Sequence, residues 1–249
     1  MLGLGSSLFH PAEAEKFSFT NINGLKLWLK PGSTLDSTAA SWRDSSGQEN
    51  NATQATSGDQ ADVVANYNGI ANGGLDFEES EGDHYDLGSA INIDVNTGWC
   101  VAGAVKIESY DSTQNCLLSS ASNKFFEWQT DDKIRINYTN TVTVLMPTVN
   151  NVFATGSLFT FIVARNDSGV HTLYKNGGSV ALDTGNSLNI TNTVASSFNA
   201  IGQREKTGPD RQFDGILYEL AIWDVALATR SINAINEDLA RRYGVPGAL

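Results

Sequence analysis

Hydrophobic residues that alternate with polar ones constrain the fold of this chain more than any other feature. Every second residue is apolar in Leu25–Leu29 and again in Ile134–Tyr138. Successive side chains of a β-strand point to opposite faces of a sheet, so each segment predicts a strand with one buried face. Asn and Gly residues separate such segments, as at Asn176-Gly177-Gly178, and they predict tight hairpin turns. The pattern therefore predicts antiparallel sheets packed face to face.

The C-terminal region combines a predicted strand with a segment of helical periodicity. Strict alternation in residues 216–223 predicts a strand face made of Ile216, Tyr218, Leu220 and Ile222. Further on, apolar residues recur every three or four positions, at Ile232, Ile235, Leu239 and Tyr243. Thr229 is the predicted N-cap of this helix, and Gly244 is its predicted left-handed stop.

Length and charge exclude several classes of protein. The chain has 249 residues, of which 41% are hydrophobic, and a formal net charge of −12 at pH 7. A single β-sandwich often has about 200–250 residues, so the length fits one such domain. No apolar run reaches the roughly 18 residues of a transmembrane helix, so membrane insertion is not expected. Nucleic acid is not an expected partner, because phosphate binding depends on Lys and Arg.

The two cysteines, Cys100 and Cys116, both lie in predicted strands. Residues 108–115 are interpreted as the loop of a hairpin between these strands, which would pair Cys116 with a residue near Val105. A disulfide requires closely facing Cβ atoms, so this hairpin favours two reduced thiols over a disulfide.

Residues 1–16 are predicted to be an N-terminal arm, and residues 17–249 are predicted to be the folded domain. The arm lacks the basic region and the long apolar stretch of a secretory signal peptide, so none is expected. Its apolar residues are unusual for a free tail in water: Leu2, Leu4, Leu8 and Phe9. Two interpretations remain open, a disordered arm and a peptide that docks on partner proteins.

Four stretches resemble, in order, the concanavalin A-like, laminin G-like jelly-roll domains. The resemblance is carried by the closing strand and helix and by the turn Trp42-Arg-Asp-Ser-Ser-Gly47 after the first strand. The matching stretches are Leu25–Lys30 with Trp42–Gly47, Gly74–Glu78 with Asp83–Leu87, Phe159–Arg165 with Leu173–Gly177, and Phe213–Tyr243. The resemblance implies an all-β fold, a two-sheet antiparallel jelly-roll sandwich with one C-terminal helix.

The start of the chain, Met1-Leu-Gly-Leu-Gly-Ser-Ser-Leu8, resembles structural proteins of tailed phages that infect marine bacteria. This likeness implies a virion surface location, as capsid decoration or on the tail, after synthesis in a host cytoplasm. The expected partners are other virion proteins, further copies of this chain and cell-surface glycans. An extracellular location is the alternative.

The acidic stretch Asp76–Asp83 lacks the Glu-x-Asp-x-Glu strand that glucanases of this fold family carry. Three interpretations remain open: a solvated acidic turn, a calcium site and a catalytic carboxylate pair. Clustered carboxylates suit a hard cation, so the candidate metal ligands are Asp76, Glu78 and Asp83. No other cofactor is expected, and no catalytic residue is assigned. The histidines show no zinc-ligand spacing, and His171 is expected to face solvent.

Sugar sites combine an aromatic platform with polar groups, because the C–H face of a sugar packs on a ring while its hydroxyls need partners. Trp128 is predicted to be partly exposed and is the first candidate for glycan contact. Further candidates are Tyr85, Trp42, Tyr67 and Trp223. Trp28 and Trp99 are expected to pack inside, and the same is expected of Trp223 near the end of the final strand.

These features predict a non-enzymatic virion surface or structural protein, whose lectin-like domain contacts proteins and host glycans. Two alternatives remain open. The first is a free carbohydrate-binding module or adhesin, and the second is an enzyme similar to glycoside hydrolases.

Overall fold

In this computed structural model the described residues are 17–110, 114–120, 124–129, 133–139, 142–147, 153–182, 195–203 and 212–245. They form sixteen strands and one α-helix, besides three short 3-10 turns. In chain order the elements are β1 (Leu25–Leu29), β2 (Ser41–Trp42), β3 (Ala52–Thr53), β4 (Asp62–Tyr67), β5 (Ile70–Phe77), β6 (Tyr85–Ile93), β7 (Trp99–Ile107), β8 (Gln114–Ser120), β9 (Lys124–Gln129), β10 (Lys133–Thr139), β11 (Val142–Pro147), β12 (Leu158–Arg165), β13 (His171–Lys175), β14 (Gly178–Ser179), β15 (Ser196–Ile201), β16 (Gly215–Trp223) and α1 (Thr229–Tyr243).

Two antiparallel sheets contain all of these strands. In the described residues the first sheet has the order β14-β13-β12-β7-β16-β5-β4, and β1 also pairs with β16. The second sheet has the order β11-β10-β9-β8-β15-β6-β3-β2. Helix α1 packs on the outer face of the first sheet, mainly against β12 and β7. The predicted fold, a two-sheet antiparallel jelly-roll sandwich with a C-terminal helix, is confirmed.

The core lies in two apolar layers. Between the sheets, alternate residues of each strand meet, such as Leu27 and Leu29 of β1 and Phe126 of β9. On the other side of the first sheet, a second layer joins β7 and β16 to the buried face of α1. Each large apolar side chain buried in this way stabilises the fold by about 1.5–3 kcal/mol.

The predicted faces of β16 are wrong, because the strand contains an irregularity. Its register against β7 runs Leu217 to Val105 and then Glu219 to Ala104, so Tyr218 has no partner on β7. Such a β-bulge shifts the following side chains to the opposite face. As a result Leu217 and Leu220 both face the space between the sheets, while Tyr218 lies on the side of the helix.

Helix α1 confirms the predicted apolar stripe and the predicted end. Gly244 has φ 62° and ψ 23°, and its N–H donates to the carbonyl of Ala240. The predicted N-cap is wrong, because Ala228 holds this position in an extended conformation and Thr229 is the first helical residue. Among the described residues, no helix combines the length and the apolar character that a membrane crossing requires.

Neither cysteine forms a disulfide, which agrees with the predicted reduced thiols, although the hairpin from which we inferred this is absent. Both side chains are buried. Strand β7 lies in the first sheet and β8 in the second, so the chain crosses between the sheets after Ile107. Val105 therefore pairs with Phe159 and Leu217, not with a residue next to Cys116. Burial raises the pKa of the Cys100 thiol well above its usual value.

The predicted docking residues Leu2, Leu4, Leu8 and Phe9 lie outside the described residues. The division into an arm of residues 1–16 and a domain of residues 17–249 stays a prediction. The described part begins at Phe17, whose ring contacts Phe19 with 5.9 Å between ring centres.

Candidate functional site

Acidic side chains converge at one end of the first sheet. Gly215, the first residue of β16, pairs with Phe77 at the end of β5 and with Ile107 at the end of β7. This register brings Asp76 and Glu78, which flank Phe77, next to Glu108, which follows Ile107. One carboxylate oxygen from each of these three acids lies within 4.8 Å of the others. We call Asp76, Glu78 and Glu108 the acidic rim.

The acidic rim contains two of the three predicted metal ligands. Asp83 is not one of the converging acids, because it is buried and its Oδ2 accepts the backbone N–H of Glu78 at 2.8 Å. Asp83 therefore fixes the turn that carries Glu78. The structure adds Glu108, which sequence reasoning missed. Its position after the predicted strand Trp99–Ile107 was a weak signal, since only the pairing of β5 and β7 with β16 brings it to Asp76.

Burial and mutual repulsion alter the protonation of the acidic rim. Burial, followed by the charges of Glu108 and Glu78, raises the pKa of Asp76 to about 6. Burial is also the main cause that raises the pKa of Glu78, with Asp214 and Glu108 adding to it. Lys106, which forms an ion pair with Glu108, opposes the shift in the pKa of Asp76.

The acidic rim is chemically suited to a divalent cation. Calcium takes carboxylate and carbonyl oxygens in flexible geometries, and three convergent carboxylates supply such ligands. The backbone holds the site in place, since Glu108 donates its N–H to the carbonyl of Asp214 at 3.0 Å. The Ser109 hydroxyl donates to the Asp214 carboxylate at 2.7 Å. A bound cation would also relieve the repulsion that raises the pKa of Asp76.

The aromatic residues predicted to contact a glycan are buried. Trp128 has no exposed surface, and Tyr85 and Trp42 are each only 1% exposed. A ring without exposed surface cannot present a face to a sugar, so these three assignments are wrong. The reason is strand parity: Trp128 pairs with Ile134 and points between the sheets, where it packs edge-on against Phe161.

Of the remaining predictions, the expected burial of Trp223 is confirmed, whereas the expected exposure of His171 is wrong. Trp223 is buried as well, and Tyr67 is partly buried beside Tyr218. His171 is 2% exposed and does not face solvent. Trp99 donates its indole N–H to the Tyr138 hydroxyl, and the same hydroxyl forms a hydrogen bond with His171 Nε2 at 2.8 Å.

Trp28, which was expected to pack inside, keeps part of its surface exposed. The other four tryptophans, all in described residues, are at most 1% exposed. The turn that follows β1 fixes the backbone of Trp28, because Asp44 Oδ1 accepts its N–H at 2.8 Å. The same carboxylate accepts the N–H groups of Ser46 and Asn50. This is the structural role of the Trp42-Arg-Asp-Ser-Ser-Gly47 turn.

The sequence matches the laminin G model of the concanavalin A-like lectin/glucanases superfamily over residues 79–233, which is more than half of the chain. The two-sheet architecture agrees with this match. The chain therefore belongs to the concanavalin A-like lectin/glucanase superfamily. No match to a curated protein was found.

Solved structures of similar fold come from carbohydrate enzymes and a toxin. Domain 4 of AbnA, an extracellular arabinanase of Geobacillus stearothermophilus solved with arabinotriose, has 16% sequence identity and a TM-score of 0.56. The similarity covers 85% of this chain and 98% of that domain. A structure of botulinum neurotoxin type C, a toxin whose cell entry depends on interaction with two ganglioside molecules, has 13% identity and a TM-score of 0.53. That match covers 89% of this chain and 53% of the toxin chain.

A sialidase of Trypanosoma rangeli, solved with sialic acid, is similar at 12% identity and a TM-score of 0.53. The match covers 88% of this chain, and this chain spans only about a third, 34%, of the sialidase. At such identities these likenesses concern the fold alone.

Proposed function

We propose that this chain is a non-enzymatic recognition domain that binds glycans, assisted by a calcium ion at the acidic rim. The observation that carries the proposal is the convergence of Asp76, Glu78 and Glu108 at the end of a lectin-like sandwich. Two structures of similar fold support glycan recognition. The arabinanase domain is in complex with arabinotriose, and the neurotoxin depends on interaction with two ganglioside molecules for cell entry.

The acidic rim would act through the cation. Asp76, Glu78 and Glu108 would hold calcium by their carboxylate oxygens, and the ion would offer a positive centre to sugar hydroxyls. Lys106 would release Glu108 when the ion binds, since the two cations compete for the same carboxylate. Protonation of Asp76 would oppose binding, so the affinity for calcium would fall as the pH drops through about 6.

A glycoside hydrolase is the second candidate, because a carboxyl group with a pKa of about 6 suits a general acid. Recognition is favoured over catalysis by the composition of the cluster. A retaining glycosidase needs two carboxyls about 5–5.5 Å apart with the sugar between them. Here three carboxylates and Lys106 fill one small volume, an arrangement that fits a bound cation better than a sugar bond.

The setting that we propose is the surface of a virion, with residues 1–16 docking on other virion proteins or on further copies of the chain. The support for this setting is the likeness of the first eight residues to tailed-phage structural proteins. An extracellular, free carbohydrate-binding module is the alternative setting. Mass spectrometry of purified phage particles tests the setting: peptides of this chain are expected on intact particles, and their absence would contradict it.

A glycan array with and without calcium tests the recognition function. The wild-type chain is expected to be retained on a subset of glycans in calcium and released by a chelator. Asp76→Asn is expected to reduce the calcium-dependent signal at least about tenfold, as for other lost ligand groups of a metal site. Glu237→Gln, an exposed acid on α1, is the matched control and should bind like wild type. An array without signal in both conditions would contradict the proposal.

A further inference from the structure

Trp28, the one tryptophan whose side chain is partly exposed, lies far from the acidic rim. Trp28 pairs with Ala221 of β16, whereas the acidic rim meets β16 at Gly215. Residues 215 to 221 of an extended strand span about 20 Å. Trp28 also lies on the outer face of the first sheet, beside α1. Any ligand contact at Trp28 is therefore separate from the cation site.

A groove of about 260 Å³ opens at Trp28. Its apolar side includes Phe19, whose ring centre lies 5.0 Å from that of Trp28, and the exposed Ile70. Its polar side includes Lys30, which directly follows β1, and Asp238 from α1. The groove thus joins a partly exposed aromatic surface with hydrogen-bonding groups of both kinds, donors and acceptors.

The protein holds the indole of Trp28 in place before any ligand arrives. Its indole N–H donates to the buried carboxylate of Glu219 at 2.6 Å. Its backbone N–H donates to Asp44 at 2.8 Å. A platform held in this way loses little conformational entropy when a ligand stacks on it, which favours binding.

Lys30 places its ammonium over the ring of Trp28. Its ammonium lies 4.6 Å from the ring centre of Trp28, and it forms no ion pair with the described residues. A cation held only by a ring can move aside and donate hydrogen bonds to hydroxyl groups at the same place. The neighbouring Arg242, in contrast, is occupied by Glu219 and Asp238.

We propose that the Trp28 groove binds one ring of a neutral glycan, with a C–H face of the sugar on the indole and its hydroxyls on Lys30 and Asp238. The volume lies just below the about 300–1,000 Å³ of pockets for drug-sized ligands, which fits a single sugar ring. The net charge of −12 disfavours polyanionic glycans. This inference rests on the proposed glycan recognition and adds a second contact site that needs no cation.

Quenching of tryptophan fluorescence by acrylamide tests this site in the full-length chain, because the other four tryptophans are buried. The probes are maltotriose and cellotriose, added in the presence of EDTA. Either trisaccharide is expected to shield Trp28 from acrylamide. Most of the fluorescence that acrylamide quenches in the free chain should then no longer be quenched. Lys30→Met keeps the indole and should weaken this protection, while Lys26→Met, a neighbouring lysine paired with Asp224, should not.

Three results would overturn the inference. The first is that neither trisaccharide protects Trp28 in the wild-type chain, and the second is that sialyllactose alone protects it. The third is that a synthetic peptide of residues 1–16 protects Trp28 while the sugars do not. The last result would identify the groove as a docking site for the arm. Since these measurements are made in EDTA, their failure would leave the calcium-dependent glycan array untouched, so the two proposals are tested separately.

Discussion

Asp76 shows how a single side chain makes the stability of this protein depend on pH. Its pKa is raised from 3.8 to about 6 in the folded chain, first by burial and then by Glu108 and Glu78. The folded state therefore binds the proton more tightly than the unfolded state. By linkage, the contribution of Asp76 to stability decreases as the pH rises from about 4 to about 6. Calcium at the proposed site should offset this loss at neutral pH, because it would bind the folded state alone.

The variant Asp76→Asn is expected to remove this pH dependence. At pH 7 without calcium its free energy of unfolding should exceed that of wild type by about 1 kcal/mol. A shift of about two pKa units corresponds to about 3 kcal/mol, and solvent screening of the half-buried Asp76 reduces this value. Urea denaturation between pH 4 and pH 7 measures the effect, with the exposed Asp94→Asn as the matched control. Parallel pH profiles for wild type and Asp76→Asn would contradict this explanation.

The sequence predicts single residues well where the deciding partner is nearby in the chain. Asp76 and Glu78 could be selected because they belong to one acidic stretch of the chain, Asp76–Asp83. Glu108 could not, since the pairing of β5 and β7 with β16 brings it to them. The tryptophans show the same limit. Alternation predicts that Trp28 lies on the other face of β1 from Leu27 and Leu29. Whether α1 covers its ring depends on tertiary packing.

At the scale of elements, a buried carboxylate connects helix α1 to the first sheet. Glu219 of β16 has no exposed surface, and it accepts hydrogen bonds from the Trp28 indole and from the Tyr243 hydroxyl at 2.8 Å. It also forms an ion pair with Arg242, whose Nη2 lies 2.9 Å from Oε1. Burial opposes the charge of Arg242, while Glu219 is the largest influence that raises its pKa. The helix and the strand therefore depend on each other for the burial of charge.

Glu219→Gln is expected to destabilise the chain by about 2–4 kcal/mol, because it leaves Arg242 without its buried partner. The lower part of the range allows for the partial exposure of Arg242. Chemical denaturation measures the loss, and Glu237→Gln on the exposed face of α1 should change stability by less than about 0.5 kcal/mol. Equal stabilities of the two variants would mean that the ion pair does not anchor the helix.

The elements themselves could be predicted from local patterns, and their irregularities could not. The apolar stripe of α1 and the stop at Gly244 depend on residues within one or two turns. The bulge at Tyr218 depends instead on the fit of β16 against β7, which strict alternation does not contain. The crossing from β7 to β8 was missed for a similar reason, since a loop between sheets and a hairpin loop have similar sequences.

At the scale of the whole molecule, alternation, turn residues and length were enough to predict a sandwich of antiparallel sheets, because these signals are repeated along the chain. The jelly-roll arrangement was implied by the resemblance to the laminin G-like domains. The proposed functional surfaces are not repeated, and each depends on a few side chains. The acidic rim and the Trp28 groove lie at different places along β16, on a protein with a net charge of −12. A ligand that uses both must span about 20 Å, which is the length of several sugar units.

The central claim is that this lectin-like fold binds a glycan and leaves it intact. Saturation-transfer NMR on a neutral oligosaccharide retained on the array, followed over days in calcium, tests both halves of this claim in one sample. The expected result is transfer of saturation from the protein to the sugar protons, with no new reducing-end signals. Either the absence of transfer or the growth of reducing ends that Asp76→Asn abolishes would contradict it.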